Sequence, residues 1–590
     1  MKRLLSGNEA IAQGAWEAGV HIGVGYPGTP STETLENLSK HDEVYCEWAP
    51  NEKVALEVAA GASMGGARSL VTMKHVGVNV AADPLMSVCN TGVNGGLVIL
   101  AADDPSMFSS QNEQDSRNYA AFARIPMLEP ADSQEAFDFV QRAFEISEEF
   151  DCPVMVRESM RIAHTKTLVE TGESHNDQPL RSFEPDPAKY VMMPGFARQR
   201  RLVVNERTRR LIAFAENSGL NRVEMRDTSI GVIASGAVYQ HVREALPDAS
   251  TYKLGLSWPF APESLQAFAN SVDKLYIIEE ACDYFAEHIH ALGIRSDVFP
   301  GIALPEEGEL TPTLIKRAFT IDEPDTFAAA DDLPPRPPSL CAGCPHRLVF
   351  TTLRNMKAIV TGDIGCYTLG ATPPLGAVHS TVDMGASLSM AHGMELANVQ
   401  ARTNRPVVGV IGDSTFAHSG ITSLLGTVYN GGSGTLCILD NRTTAMTGCQ
   451  GNPCNGVTLT EQARGLNPLD VPAGKPLDIE ELCRALGVED VISVDSQDLA
   501  AVKEALKTAT DSSDTLSVIV FHSPCRLIDR TRMPAPEIKN CRACGMCIKL
   551  GCPAIEKGSD GKAYIDFTQC VGCGQCVQVC PFDCIESKGE

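Results

Sequence analysis

The chain has 590 residues, 43% of them hydrophobic and 21% charged, and a formal net charge of −25. That length exceeds what one core can organise and predicts three to five domains of ordinary globular composition. The acidic balance, with no Lys/Arg stripe, argues against nucleic acid or an anionic membrane as partner. The opening MKRLL is cut short by Gly7, Asn8 and Glu9, and the longest uncharged run, 84–102, contains Pro and Gly. Neither a leader nor a membrane span is expected, and the cytoplasm is the expected place.

Residues 1–185 alternate short apolar runs with helical patterns. VHIGVGYPG predicts a strand entering a turn, NEKVALEVAAGASMGG a helix, RSLVTMKHV a strand, and GGLVILAADD a strand ending in acids. Such βα alternation implies a parallel sheet with loops gathered at the strand ends. Segment 170–200 is polar and reads as an irregular connection. A second α/β region, 200–320, carries TSIGVIASG, VYQHVREAL and KLYIIEEA. Residues 321–339, with DEPD and DDLPPRPPS, read as a linker. A third α/β region, 340–535, has strands AIVTGDIG, PVVGVIGDS, GTLCILDN and LSVIVFHS, and residues 536–590 form a Cys-rich module.

Nine of the 21 cysteines lie between Cys541 and Cys584, a density that points to metal ligation. Cys570, Cys573, Cys576 and Cys580, followed by Pro581, have the spacing C-x2-C-x2-C-x3-C-P. Three such thiolates wrap one cubane while the fourth reaches its neighbour. Cys541, Cys544, Cys547 and Cys552 repeat the pattern with one extra residue before the last Cys. The expected sets are therefore Cys541, Cys544, Cys547 and Cys580 for one 4Fe–4S cluster, and Cys570, Cys573, Cys576 and Cys552 for the other. A pair of zinc sites is the alternative, and Cys584 falls outside the pattern.

In the third region GVIGDSTFAHSG runs a strand into Gly412, Asp413 and Ser414, and Asn441 follows 28 residues after Asp413. This resembles the thiamine diphosphate motif, in which a diphosphate is held through Mg²⁺, a hard cation that takes oxygen ligands. Asp413, the Asn441 side chain and the Thr443 carbonyl would supply three of them. Gly412 would keep the turn open for the diphosphate, next to a helix N-terminus. The cofactor also needs an acid against its pyrimidine ring. Glu52 is the candidate, and an apolar setting would keep it protonated; an exposed first-turn glutamate is the competing reading. His75, in MKHVG, reads equally as a residue near the cofactor or as a core histidine.

Cys341 and Cys344 in LCAGCPHR, Cys366 in GDIGCYTLG and Cys525 in FHSPCRL each pass singly for a small buried hydrophobe. Together they resemble the ligands of the cluster nearest thiamine in 2-oxoacid:ferredoxin oxidoreductases. YPGTPSTE, the Glu52 helix, CAGCPHR, GDIGCYTLG, GDSTFAHSG, DNRTTAMTG and the cluster tail follow in one chain. That order resembles the large, or alpha, subunits of the indolepyruvate branch of this family over nearly the whole length.

The resemblance implies an α/β multidomain fold with two thiamine-diphosphate-binding domains, of which 1–185 holds the pyrimidine and 340–535 the diphosphate. A transketolase C-terminal-like domain at 200–320 and a ferredoxin-like α+β module at 536–590 complete it. It assigns Thr29 to substrate contact, Glu52 to cofactor activation, and Asp413, Asn441 and Thr443 to Mg²⁺. Gly28, Gly412, Ser414 and Met446 would border the cofactor, with Met446 facing a bulky aryl group. The implied reaction is oxidative decarboxylation of an arylpyruvate with coenzyme A, giving an aryl-acetyl-CoA, CO₂ and reduced soluble ferredoxin. A small beta subunit in an α₂β₂ assembly is implied as well. Competing readings are an oxidoreductase for another 2-oxoacid, a non-oxidative thiamine decarboxylase, and a relay subunit whose thiamine site has decayed, since GDS stands where GDG is usual.

Overall fold

Uninterrupted apolar runs make the central strands. In the computed structural model Ser69–Lys74, Leu97–Asp103 and Val154–Ser159 are buried at every position, as parallel strands covered on both faces are. The structure describes all residues except 173–174, 176–177, 323–331, 334–336, 402–405, 512–514 and 588–590. The chain divides into two compact units, Met1–Ala330 and Asp331–Glu590. The expected linker, 321–339, lies largely outside the described residues.

In the first unit a seven-stranded sheet runs in the order Leu256–Trp258, Met127–Leu128, Val154–Ser159, Leu97–Asp103, Ser69–Lys74, Ile22–Gly25, Tyr45–Trp48. Only the Leu256–Trp258 edge strand is antiparallel. Parallel register brings Gly25 opposite Thr72, Lys74 opposite Ala102, and Asp103 opposite Ser159, so the loops that follow share one rim. A four-stranded sheet, Leu275–Ile277, Asp227–Ser235, Ala249–Leu254 and Arg222–Glu224, makes the second layer system. Strand Leu256–Trp258 thus leaves the second α/β segment to close the edge of the first sheet.

Segment 170–200 is not irregular throughout. It carries a short helix, Pro187–Tyr190, and the start of a 24-residue helix, Pro194–Asn217. The sequence hid this helix because its buried face is built partly from arginines. Arg200 donates to the carbonyls of Asn90 and Thr91, and Arg207 to those of Cys89 and Asp151. The guanidinium groups satisfy carbonyls left open at the C-termini of helices Ala82–Thr91 and Ser133–Phe150.

The second unit is built on a five-stranded parallel sheet in the order Ile359–Thr361, Val407–Gly412, Gly434–Asp440, Leu516–His522, Asp490–Asp495. Its tail adds two antiparallel ribbons, Glu537–Ile538 with Ile585–Glu586 and Ile555–Lys557 with Ala563–Ile565. The tail is anchored by Arg347, which is 1% exposed. Its guanidinium donates to the carbonyls of Leu550 and Gly551 in the tail and of Leu340 and Cys341 before its own helix. Among the described residues no helix is long and apolar enough to cross a membrane.

Candidate functional site

Strand Val407–Gly412 ends where a Cβ has no room: one at Gly412 would stand 2.5 Å from Cε1 of Tyr367. The requirement for glycine here comes from that ring as well as from any open turn. Asp413 follows at the head of a helical run that continues through Phe416–Gly420 and Ile421–Tyr429. Its carboxyl is buried and accepts from Asn452 Nδ2 at 3.2 Å. Burial, and then the nearby Asp440 carboxylate, push it well above the ordinary carboxylate value.

The neighbouring strand Gly434–Asp440 delivers Asn441 and Thr443 to the same edge, Gly412 being in register with Leu439. The Thr443 N–H donates to Asn441 Oδ1 at 3.3 Å, and the Thr444 hydroxyl donates to Ser414 Oγ at 2.8 Å. Asp413, Asn441 and Thr443 are all buried. Asp440 is paired with His522 at 3.0 Å, but among the described residues Asp413 has no ion-pair partner, and a divalent, oxygen-seeking cation fits the buried oxygen donors around it. Met446 is different: it lies on the turn Ala445–Thr447 and is 51% exposed.

His346 and Cys525 join this edge to a group of thiols. Nε2 of His346 lies 3.4 Å from Asn441 Nδ2. Burial, then Arg347, lower the His346 pKa to about 4, so the ring is neutral and accepts from the amide. The Cys525 N–H donates to the Asn441 carbonyl at 3.0 Å. Cys341, Cys344, Cys366 and Cys525 come together from three loops: Cys344 neighbours Cys341 and Cys366, and Cys366 neighbours Cys525 and Cys341. A fifth thiol, Cys449, stands beside Cys525 and, first among several influences, brings its thiol down to about 6. Burial pushes Cys344 up to about 12 and Cys366 to about 11, as thiols without metal or base require.

In the tail the cysteines line two separate cavities. Cys541, Cys544, Cys547 and Cys580 border one of about 390 Å³, part of it open to solvent. Cys552, Cys570, Cys573 and Cys576 border the other, of about 360 Å³. Backbone N–H groups point at the sulfurs: Ala543 to Cys541 at 3.5 Å, Gly572 to Cys570 at 3.4 Å and Cys584 to Cys580 at 3.3 Å. Among the described residues no three His, Cys, Asp or Glu side chains close around a single metal ion. Four thiols facing a cavity, with amides aimed at the sulfurs, suit a cubane body.

The extra residue after Cys547 is taken up by the turn Ile548–Leu550, closed by Gly551 at φ 71°. Ala342 and Gly343, between Cys341 and Cys344, form part of the wall of the Cys552 cavity. Gln575 closes the junction, donating to the Cys344 carbonyl at 3.0 Å.

In the first unit Glu52 opens helix Glu52–Met64, capped by Asn51, whose side chain accepts from the Val54 N–H. Glu52 is buried rather than exposed. Its carboxyl packs over Gly77, where a Cβ would lie 2.6 Å from Oε1. Gly28 donates to Thr32 Oγ1 and accepts from the Ser31 hydroxyl, both at 2.9 Å, which shapes the turn that carries Thr29. His75 is buried, with Nε2 3.3 Å from the Asn112 carbonyl and Nδ1 without a hydrogen bond. Burial, first of several influences, lowers its pKa. Beside it, burial pulls the Lys74 amine down to about 8, with Asp104 at 4.0 Å.

Sequence reasoning missed Cys449, His346, Asn452 and Lys74. The first two carried a signal: Cys449 lies on the loop that starts at Asn441, and His346 adjoins the CAGC motif. Asn452 and Lys74 are ordinary residue types that only burial singles out.

Three family models match the chain in order. "Pyruvate flavodoxin/ferredoxin oxidoreductase, thiamine diP-bdg" covers residues 13–222, "Thiamine pyrophosphate enzyme, C-terminal TPP binding domain" covers 363–521, and "4Fe-4S binding domain" covers 563–586. Thiamine-diphosphate-binding α/β domains followed by a ferredoxin-like module define a thiamine-dependent 2-oxoacid:ferredoxin oxidoreductase with an iron–sulfur cluster. "Indolepyruvate oxidoreductase subunit IorA" of Methanothermobacter marburgensis is 38% identical over 618 residues, 99% of this chain and 97% of the relative. The protein of that description from Thermococcus kodakarensis is 38% identical over 640 residues, 100% and 97%, and that from Archaeoglobus fulgidus 37% over 619 residues, 98% and 96%. The chain belongs to the indolepyruvate oxidoreductase subunit IorA family.

Proposed function

We propose that the chain oxidatively decarboxylates arylpyruvates, indolepyruvate among them, with coenzyme A as acyl acceptor. The products are an aryl-acetyl-CoA, CO₂ and two reducing equivalents delivered to soluble ferredoxin. The observation that carries this reading is the 3.0 Å bond from the Cys525 N–H to the Asn441 carbonyl, which joins the thiol quartet to the oxygen-donor edge. Thiamine diphosphate, when bound, supplies the electron sink for loss of CO₂.

The chain's own residues do the rest. Asp413, Asn441 and Thr443 hold Mg²⁺, and Gly412 and Ser414 border the diphosphate. Glu52 donates a hydrogen bond to activate the cofactor. Thr29, on the turn shaped by Gly28, orients the keto acid, His75 stands beside it, and Met446 offers an apolar surface to the aryl group. Cys341, Cys344, Cys366 and Cys525, then Cys570, Cys573, Cys576 and Cys552, and then Cys541, Cys544, Cys547 and Cys580 would each hold a four-iron cluster, which would supply one-electron redox chemistry. Cluster potentials that extend far below zero suit export to a ferredoxin.

The relatives' names describe a subunit, which supports a partner chain; in this reading it is a small beta subunit in an α₂β₂ complex, and the cytoplasm is the place of action. The domain limits 1–185, 200–320, 340–535 and 536–590 belong to this reading. The test is anaerobic purification with iron, sulfide and thiamine counted per chain, followed by assay with arylpyruvates, CoA and the small subunit. About twelve irons are expected for three four-iron clusters, with one thiamine and CoA-dependent ferredoxin reduction. About eight irons and no thiamine at saturation would leave only a relay subunit.

A further inference from the structure

Lys74 ends strand Ser69–Lys74 on the rim where the parallel strands of the first unit finish, and it is 7% exposed. Its Cβ lies 3.1 Å from where a Cβ on Gly28 would stand, so its stem packs against the turn that carries Thr29. The helix that follows, His75–Val80, sets Gly77 against the Glu52 carboxyl. An ammonium has three donors, and that of Lys74 makes one hydrogen bond among the described residues, to the Ser109 carbonyl at 2.7 Å.

The acid beside it, Asp104, stands off at 4.0 Å because its own loop takes it up. Asp104 accepts from the N–H groups of Phe108 and Ser109, at 3.3 and 2.9 Å, and from the hydroxyls of Ser109, at 3.4 Å, and Ser110. Glu158 shares a face of the sheet with Lys74, both being in register with Ala102. Burial pushes its carboxyl up to about 8, and its oxygens make no hydrogen bond, so at neutral pH it keeps its proton and gives Lys74 no counter-charge. Thr72 lies on that face too, fully buried, with a hydroxyl that has no hydrogen bond. A buried cation with two unused donors and no close counter-ion is suited to an anion.

We propose that Lys74 anchors an anion subsite that takes the carboxylate of the 2-oxoacid. The inference rests on the reading that the chain acts on 2-oxoacids, and it adds the group that holds the end of the substrate lost as CO₂. The carboxylate accepts the two ammonium protons that Ser109 leaves over, in charge-assisted bonds that an uncharged ligand of the same shape cannot match. Thr29, on the adjoining turn, is left to the keto group.

The test uses the anaerobically purified complex of the chain with its small subunit, loaded with Mg²⁺ and thiamine diphosphate. Calorimetry measures binding of indole-3-acetate, a carboxylate with no keto group to react, and of indole-3-acetamide, its uncharged counterpart. The wild type is expected to prefer the acetate. Lys74→Met should weaken the acetate by roughly 10–100-fold and leave the amide unchanged, while Lys74→Arg, which keeps the charge, retains most of the preference. Thiamine content should be the same in all three. Equal affinity for acetate and amide in the wild type overturns the proposal. So does a parallel loss of both ligands in K74M with the preference intact, which would make Lys74 a packing residue. A wild-type complex that prefers the acetate through Lys74 yet turns over no arylpyruvate keeps the subsite and refutes the reaction proposed above.

Discussion

Asn441 Nδ2 lies 3.4 Å from His346 Nε2, with both residues buried. The contact turns Asn441 so that its other amide atom, Oδ1, accepts from the Thr443 N–H and stays with the oxygen donors of Asp413. Partners of this kind orient metal ligands without touching the metal. For His346→Ala, Mg²⁺-dependent thiamine diphosphate binding is expected to weaken by roughly 10–100-fold, with iron content unchanged. Fluorescence titration of the purified chain measures the first and colorimetric iron the second. Unaltered affinity would leave His346 a packing residue only.

Asp413→Asn should separate two effects that ordinarily cancel. Burial beside Asp440 disfavours the Asp413 charge, so the variant without Mg²⁺ should melt at a higher temperature than the wild type. Addition of Mg²⁺ and thiamine diphosphate should raise the wild-type melting temperature and leave the variant's almost unchanged. A variant still stabilised by the cofactor would take Asp413 out of the cation site.

Glu52→Gln is expected to retain thiamine and lose about 10²–10⁴-fold in turnover, the usual contribution of a positioned proton donor. Gly77→Ala should act in the same direction without changing any polar group. Its Cβ would press to 2.6 Å from Glu52 Oε1 and move the carboxyl. Steady-state kinetics on both variants, with thiamine content as control, tests the pair.

His522 makes stability depend on pH at the far side of this edge. Asp440 first, then Glu480, hold its imidazolium against opposing burial and raise its pKa from 6.5 to about 9. A folded-state pKa above the unfolded value means that the contribution is complete below pH 6.5 and disappears as pH rises through about 9. The stability difference between wild type and His522→Gln should therefore shrink across that window. Urea unfolding at a series of pH values measures it, and a constant difference would contradict the ion pairs.

Much of this was legible in the residues, for physical reasons that differ from place to place. The strands were readable because RSLVTMKHV, PVVGVIGDS and LSVIVFHS are apolar runs of strand length bounded by turn residues. The tail was readable because cubane ligation imposes a spacing that little else requires. Helix Pro194–Asn217 was not, because Arg200 and Arg207 bury charge where periodicity expects apolar residues. The fifth thiol was hidden too. Cys449 is remote in sequence from Cys341, Cys366 and Cys525, and only the strand order brings their loops to one edge.

Arg347 carries a consequence for how such a chain could be shortened. Its Nη1 donates to the tail, at Leu550 and Gly551, and its Nη2 to the turn that leads into Cys341. Removing the last 55 residues would take from Arg347 the carbonyls of Leu550 and Gly551 and strip one wall from the Cys341–Cys344 loop together. The Cys-rich tail is therefore not cargo that a descendant could drop while keeping the Cys341–Cys344 turn in place. A lineage that abandoned ferredoxin would first have to rebuild the start of its diphosphate-binding half.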